Sequence, residues 1–130
     1  MAPDHGLELL TEEDCRALLA SGLIGRVGIS VGALPAILPV NYSVVDGDIL
    51  FRTGEGQKLR AALDHTIVAF EVDHADPLSH EGWSVLVVGV AEEVFDVPGS
   101  LAGPVPWARG ERDHLVRIRP EMISGRRLLP

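Results

Sequence analysis

The feature that most constrains the fold is a series of apolar, β-branched segments separated by tight turns. The sequence VDGDI at positions 45–49 joins two of them so closely that it predicts a β-hairpin of residues 36–45 with residues 48–53. The chain has no helical segments that would connect parallel strands. The pattern therefore predicts a small antiparallel barrel, with strands at 23–31, 33–45, 48–53, 66–73, 82–95 and 114–123.

Two short helices are expected, at 11–22 and 56–65. Thr11 is a suitable N-cap for the first helix, acidic residues occupy its first turn, and Gly22 follows its end. Cys15, the only cysteine, lies in this helix, where we expect a buried and unreactive thiol. A single cysteine also excludes an internal disulfide and a multi-cysteine metal site.

The rest of the chain contains no internal repeat and no domain linker, so residues 1–130 are expected to form one domain. Within it, residues 1–9 are expected to be a loose N-terminal segment. Residues 97–113 hold many helix-breaking residues and are predicted to form a loop with one turn of helix at most.

Two of the predicted strands do not alternate between polar and apolar residues. The sequences TIVAF at 66–70 and VLVVGVA at 85–91 are apolar on both faces. In a barrel one face of each strand fills the interior, so another surface has to cover the outer face. This pattern predicts that a partner subunit covers the outer face.

The charge excludes some classes of partner. The chain has 11 Lys and Arg residues against 19 Asp and Glu residues, and its net charge is −8. Nucleic acids and acidic membrane surfaces select for basic faces, so neither is expected as the main partner. The N-terminus has no signal-peptide pattern, and no apolar run approaches about 18 residues, the length that a membrane-spanning helix needs. We therefore expect a cytoplasmic protein.

The stretch FRTGEGQKL at 51–59 contains the only lysine of the chain, Lys58. Its glycines follow a predicted strand and precede a predicted helix, but their spacing fits neither a P-loop nor a dinucleotide-binding loop. Two interpretations remain. Arg52, Thr53 and Lys58 could bind a phosphate monoester beside the start of the helix, or the stretch could be an ordinary strand–turn–helix corner.

Two further motifs can each be interpreted either as part of a ligand-binding site or as a purely structural feature. In PVNY, residues 39–42, the strand could offer its backbone edge to a flat ligand, or it could form a bulge that packs Tyr42 into the core. In GWSV, residues 82–85, Trp83 could contact a ring system and Ser84 a phosphate, or Trp83 could be a core aromatic residue.

Other kinds of site find little support. The five histidines are scattered, and their spacing to Asp73 and Asp76 matches no metal site. The chain has no G-x-S-x-G sequence of the hydrolase type. No metal site and no catalytic side chain are therefore predicted.

Taken together, these motifs resemble the pyridoxamine 5′-phosphate oxidase-like family of FMN-binding split barrels, in particular its short bacterial members of unassigned substrate. The similarity extends from about residue 10 to residue 127 and depends on the ordered set PVNY, FRTGEGQK and GWSV. The resemblance implies a mainly β protein whose six antiparallel strands form a split β-barrel. It also implies a homodimer with two FMN molecules at the subunit interface.

The resemblance also assigns the cofactor-binding residues. It implies that the FMN phosphate is held by Arg52, Thr53 and Lys58. The polar edge of the isoalloxazine would meet the backbone around Val40, Asn41 and Tyr42. Trp83 and Ser84 would line the same groove, from the partner chain.

The chain lacks the arginine–histidine substrate signature that pyridoxamine-phosphate oxidases carry near the C-terminus, since ISGRRLLP contains no histidine. We therefore do not expect it to oxidise vitamin B6. The leading hypothesis is an FMN-dependent oxidoreductase of unknown substrate. The alternatives are an F420-dependent reductase, for which Arg126 and Arg127 would supply extra cations, and a non-enzymatic flavin- or haem-binding protein.

Overall fold

The structure is a computed structural model that describes residues 6–54, 56–95 and 114–130, apart from the side chains of Gln57 and Lys58. It contains seven strands and two helices in these ranges. In chain order the elements are β1 (Leu7–Leu9), α1 (Glu12–Ser21), β2 (Ile24–Val31), β3 (Leu34–Val45), β4 (Asp48–Thr53), α2 (Gln57–Ala62), β5 (Thr66–Asp76), β6 (Glu81–Val94) and β7 (His114–Leu128).

Six of the strands form a closed antiparallel ring. Its order is β7–β4–β3–β2–β5–β6, and pairing of β6 with β7 closes it. Strand β1 lies outside the ring, on the edge of β7 that also receives β4. The six-stranded split β-barrel predicted from the sequence is confirmed.

Both short hairpin turns have the geometry that their sequences favour. Asp46 and Gly47 connect β3 to β4, and Gly32 and Ala33 connect β2 to β3; all four have positive φ. Two consecutive residues with positive φ are typical of the type I′ turn, whose twist matches that of paired strands. The hairpin predicted from VDGDI is therefore present.

The ladder of that hairpin is shorter than predicted, and the barrel is split where β3 and β4 separate. β3 pairs with β4 only through residues 42–45, whereas residues 34–41 pair with β2. The first two thirds of β3 therefore have no partner on the β4 side among the described strands. At the end of β4, helix α2 begins, and its Leu59 and Leu63 pack against the core.

The core lies inside the ring and is closed on one side by α1. Phe51 and Phe70 are fully buried, and burying side chains of this size contributes about 2–3 kcal/mol each. Helix α1 is capped by Thr11, whose hydroxyl accepts a hydrogen bond of 3.1 Å from the backbone N–H of Asp14. Its Cys15 is fully buried, as predicted, and burial raises the pKa of this thiol.

The prediction that residues 1–9 are loose is wrong for Leu7–Leu9. These three residues form β1 and pair with residues 126–128 of β7. The strand has only three residues, too few for a pattern of apolar side chains to mark it in the sequence. It forms because the end of β7 offers an unpaired backbone edge beyond the reach of β4.

The last strand continues past its predicted end at residue 123 and reaches Leu128. The register with β6 shifts between Val88 and Gly89, which pair with Met122 and Pro120 respectively. The extra residue, Glu121, forms a β-bulge beside the proline. A bulge accommodates a residue that has no backbone N–H to donate, so Pro120 does not end the strand.

Two further points concern the chain as a whole. The predicted loop at 97–113 lies outside the described residues. Among the helices that the structure describes, neither is long and apolar enough to cross a membrane.

Candidate functional site

The PVNY motif lies where β3 changes partners. Tyr42 is the first residue that pairs with β4, and Asn41 is the last that pairs with β2. The backbone N–H of Tyr42 donates a hydrogen bond of 3.0 Å to the carbonyl of Leu23, so this amide points towards β2. Val40 and Asn41 are therefore the last two residues of the segment that has no described strand partner on the β4 side.

The side chain of Tyr42 belongs to the core. It is 4% exposed, its ring meets Phe70 edge-on with centroids 4.9 Å apart, and its hydroxyl donates a 2.5 Å hydrogen bond to the carbonyl of Leu19. Burial raises the pKa of Tyr42 to about 12. Of the two interpretations of this tyrosine, the structure supports core packing for the side chain, which leaves only the backbone near Tyr42 for a ligand.

The two prolines of β3 fit this open edge. Along a strand, the backbone N–H groups of successive residues point alternately to the two neighbouring strands. Because the N–H of Tyr42 points towards β2, the backbone nitrogens of the odd-numbered residues before it face the β4 side. Pro35 and Pro39 occupy such positions. A proline cannot donate to a ladder, and here neither one removes a hydrogen bond to β2. The sequence is thus suited to an edge that stays open.

Arg52 and Thr53 lie at the end of β4, next to the point where the β3–β4 ladder stops. The last pair of the β3–β4 ladder is Tyr42 with Phe51, so Asn41 and Arg52 are the next residues along the two strands where these separate. Phe51 faces the core, and strand alternation therefore directs Arg52 to the outer face. Thr53 faces inward and is 8% exposed.

Lys58 lies in the first turn of α2, five residues after Thr53. The helix has no side-chain N-cap, and Gly56 precedes it with φ 153°, a conformation that residues with a Cβ rarely adopt. The structure thus brings Val40, Asn41, Arg52 and Thr53 to neighbouring strand positions, with the backbone of Lys58 close along the chain. We call these five residues the phosphate corner. Their role in binding stays a prediction.

Trp83 and Ser84 lie elsewhere in the same chain. Arg52 pairs with Leu115 near the start of β7, whereas Trp83 pairs with Arg127 near its end. These two positions on β7 are separated by 12 residues, or about 40 Å along an extended strand. Trp83 packs against the core and lines a cavity of about 240 Å³ at the far end of the barrel.

Ser84 faces the opposite side of β6 from Trp83. It pairs with Asp73 of β5, whose carboxylate lies 3.5 Å from Nη1 of Arg26. Arg26 also donates a 3.2 Å hydrogen bond to Glu71. Burial, followed by the hydrogen bond and charge of Asp73, raises the pKa of Glu71 more than Arg26 lowers it. Because Ser84 lies beside these partly exposed charged residues, it belongs to the outer face of the barrel.

The outer face is also strongly apolar. The ladders place Ile37, Gly28, Ala69, Val88 and Met122 in one row across five strands. Ile37 is 71% exposed and Met122 is 68% exposed. A groove of about 370 Å³ lies over Ile37, Gly28 and Ala69 of this row, beside Arg26 and Glu71. We call the five-residue row and this groove the apolar outer face.

Two glutamates near the phosphate corner were not identified from the sequence. Glu92 and Glu93 precede the last residue of β6, and their side chains are only 13% and 11% exposed. Glu93 contacts Arg60 of α2 and His114 of β7, whereas Glu92 is bonded by Arg117. The only signal in the sequence is an acidic pair inside an otherwise apolar strand, and it does not reveal which cations the acids meet.

The closed six-stranded ring, the open edge of β3 and the two short helices define the class of the protein as a split-barrel protein. A family model for pyridoxamine 5′-phosphate oxidase matches residues 11–127. The chain belongs to this family.

Relatives and solved structures agree with this assignment. The uncharacterised protein Rv0080 of Mycobacterium tuberculosis is 40% identical over 129 residues, which cover 92% of this chain and 84% of the relative. A FAD-binding protein from Mycobacterium smegmatis is 37% identical, with a TM-score of 0.72 and coverage of 93% of this chain and 97% of that one. A candidate pyridoxamine 5′-phosphate oxidase from Corynebacterium glutamicum is 32% identical, with a TM-score of 0.80 and coverage of 99% and 98%.

Proposed function

We propose that this protein binds a flavin nucleotide, FMN in the first instance, and acts as an oxidoreductase. The observation that carries the proposal is the divergence of β3 from β4, which sets an open backbone edge beside Arg52 and Thr53 and ahead of Lys58. The similarity to a FAD-binding protein at 37% identity supports a flavin ligand. FMN and FAD share the ribityl phosphate, so both fit this arrangement.

The donor set suits one phosphate and a flat ring. A guanidinium offers a planar pair of donors and an ammonium offers a compact charge, so Arg52 and Lys58 would supply most of the attraction for the phosphate. Thr53, which is largely buried, would contribute a hydroxyl at most. The backbone around Val40, Asn41 and Tyr42 would meet the polar edge of the ring. When bound, the flavin supplies hydride or electron transfer, and the protein supplies binding and orientation.

We also propose that the protein is a homodimer in which Trp83 and Ser84 reach the flavin bound by the partner. Within one chain Trp83 is separated from Arg52 by most of the length of β7, so it cannot complete the same groove. The apolar outer face provides a surface that gains from burial, because exposed Ile37 and Met122 lie in one continuous row. A second copy of the chain is the partner that always accompanies it.

FAD is the second candidate for the cofactor, because the Mycobacterium smegmatis relative is a FAD-binding protein. Absorbance of the purified protein between about 350 and 500 nm, followed by mass spectrometry of the released ligand, distinguishes the two flavins. A yellow protein that releases FMN supports the first candidate, and release of FAD supports the second. A colourless protein that binds neither flavin at micromolar concentration contradicts the proposal.

Removal of both cations tests the phosphate corner. Arg52→Gln with Lys58→Gln should weaken FMN by more than about tenfold, since each charge-assisted hydrogen bond contributes about 1.5–3 kcal/mol. Riboflavin, which has no phosphate, should lose less than about twofold. Arg16→Gln with Arg119→Gln removes the same charge elsewhere and is the matched control. Equal losses for FMN and riboflavin would show that the corner is structural.

A further inference from the structure

We infer that Glu93 is a positioning residue that holds the two halves of the phosphate corner together. This inference rests on the proposed function. One carboxylate oxygen of Glu93 accepts a 3.0 Å hydrogen bond from Nη2 of Arg60, and the other lies 2.5 Å from Nδ1 of His114. Through these two contacts a single side chain on β6 connects α2 to the start of β7.

Each partner of Glu93 is adjacent to a residue of the phosphate corner. Arg60 follows Lys58 by two residues in the same helix. His114 is the ladder partner of Thr53, the residue that ends β4. A shift of Glu93 would therefore move the lysine and the strand end relative to each other.

Helix α2 depends on such outside contacts for its position. It has six residues and no side-chain N-cap, and a helix this short is not stable by itself in water. Leu59, Ala62 and Leu63 attach one side of it to the core. Among the residues that the structure describes, the ion pair of Arg60 with Glu93 joins a residue within the helix to the sheet.

The charge on Glu93 is maintained in a largely buried place. Burial alone would raise the pKa of Glu93, but the hydrogen bonds and charges of Arg60 and His114 outweigh it and lower the pKa. The second ring nitrogen of His114, Nε2, is buried and has no hydrogen-bond partner in the part of the chain that the structure describes. The imidazole is thus oriented by Glu93 and not by a second polar contact among these residues.

Correct spacing of two cations matters for a phosphate and not for an uncharged ribityl chain. A displacement of about 1 Å is enough to spoil a bidentate contact. Loss of Glu93 should therefore lower the affinity for FMN selectively. A residue that only stabilises the fold would affect FMN and riboflavin alike.

The experiment compares Glu93→Gln with Glu92→Gln. The control residue is equally buried and is bonded by Arg117. It lies 3.9 Å from His65, which follows α2, but it contacts neither Arg60 within the helix nor His114. Dissociation constants for FMN and riboflavin are measured by fluorescence quenching, and amide hydrogen exchange is followed in peptides that cover 56–63. Circular dichroism checks that each variant is folded.

We expect Glu93→Gln to weaken FMN by about tenfold, to change riboflavin by less than about twofold, and to speed exchange in α2. Glu92→Gln should change none of these. Arg60→Met breaks the helix side of the link and should reproduce the FMN-selective loss, without adding to it in the double variant. It also replaces Glu93→Gln as the test if that variant fails to fold.

Equal losses in the two glutamate variants, or equal losses for FMN and riboflavin, would overturn the positioning role. If the unmodified protein binds no flavin, the proposed function fails. In that case the exchange data still decide whether Glu93 holds α2. Unchanged exchange in Glu93→Gln would then overturn the link itself.

Discussion

The hydroxyl of Tyr42 donates a hydrogen bond of 2.5 Å to the carbonyl oxygen of Leu19, in the last turn of α1. This bond attaches the helix to β3 at the residue where that strand changes partners. The same side chain meets Phe70 edge-on. One buried tyrosine therefore stabilises the packing of α1 and the geometry of the open edge.

Replacement of Tyr42 by phenylalanine should lower the free energy of unfolding by about 1 kcal/mol, because one buried hydrogen bond is lost while the ring is kept. The loss is limited, since the N–H of Gly22 also donates to the carbonyl of Leu19 at 3.3 Å. Urea unfolding measures the change. Flavin affinity should stay within about twofold of the unmodified protein, and a larger drop would show that the hydroxyl itself contacts the ligand.

Gly25 is required by the aromatic ring of Phe70. A Cβ added at this glycine would lie 2.3 Å from the ring, which is fully buried and cannot move aside. Gly25→Ala should therefore destabilise the fold by about 1–3 kcal/mol, measured by urea unfolding.

Gly28 on the same strand is the control for this substitution. A Cβ at Gly28 meets its nearest neighbour at 3.6 Å, an ordinary contact distance, so Gly28→Ala should change stability by less than about 0.5 kcal/mol. Similar costs at Gly25 and Gly28 would contradict the role given to Phe70.

The two buried glutamates at the end of β6 should make the protein sensitive to acid. The hydrogen bond from Arg117 is the main cause that lowers the pKa of Glu92. Burial would raise the pKa of Glu93, but the contacts with Arg60 and His114 outweigh burial and lower this pKa. As the pH falls, these two glutamates are therefore protonated at a higher pH in the unfolded chain than in the folded protein. The stabilisation is complete above the ordinary glutamate value of 4.5 and is lost below it.

Urea unfolding between about pH 6 and about pH 3 tests this dependence. The double variant Glu92→Gln with Glu93→Gln should be less stable than the unmodified protein at the upper end and should lose less stability on acidification. Glu121→Gln, at an exposed position of β7, should retain the original slope. A double variant with an unchanged slope would show that other carboxylates cause the acid sensitivity.

The apolar outer face should determine the oligomeric state. Ile37→Glu places a charge at the β3 end of this face, where a symmetric interface would bury it in both subunits without a partner charge. Sedimentation equilibrium should show a dimer for the unmodified protein and a monomer for the variant. Flavin affinity should fall when the dimer is lost, since Trp83 and Ser84 are proposed to come from the partner.

Leu78→Glu is the matched control, because Leu78 is 93% exposed in the turn between β5 and β6, away from the row that contains Ile37. It should remain a dimer. An unmodified protein that is monomeric at micromolar concentration would contradict the dimer proposal, whatever the variants do.

Much of the fold could be predicted because it depends on neighbouring residues. Asp46 and Gly47 adopt the positive φ values that a tight hairpin needs, and Thr11 caps the helix that follows it. The strands coincide with the apolar, β-branched segments between turns, apart from β1 and the last residues of β7. These two were missed because they depend on distant partners: the end of β7 pairs with the start of β6, and β1 pairs with that end of β7.

The candidate site was predicted in part for the same reason. Arg52, Thr53 and Lys58 are close along the chain, so the strand–turn–helix pattern was enough to group them. Asn41 and Arg52 each adjoin the last pair of a ladder whose tight hairpin turn the sequence marks clearly. The grouping of these residues could therefore be predicted from local sequence preferences.

Only the tertiary structure decided where β3 leaves β4, which faces Trp83 and Ser84 occupy, and which cations meet Glu93. Arg60 is 33 residues from Glu93, and His114 is 21 residues from it. Such contacts are set by the register around a closed ring, where each strand pairing constrains the next. A local pattern reports the conformation of its own segment, and the partners across the barrel depend on all six strands at once.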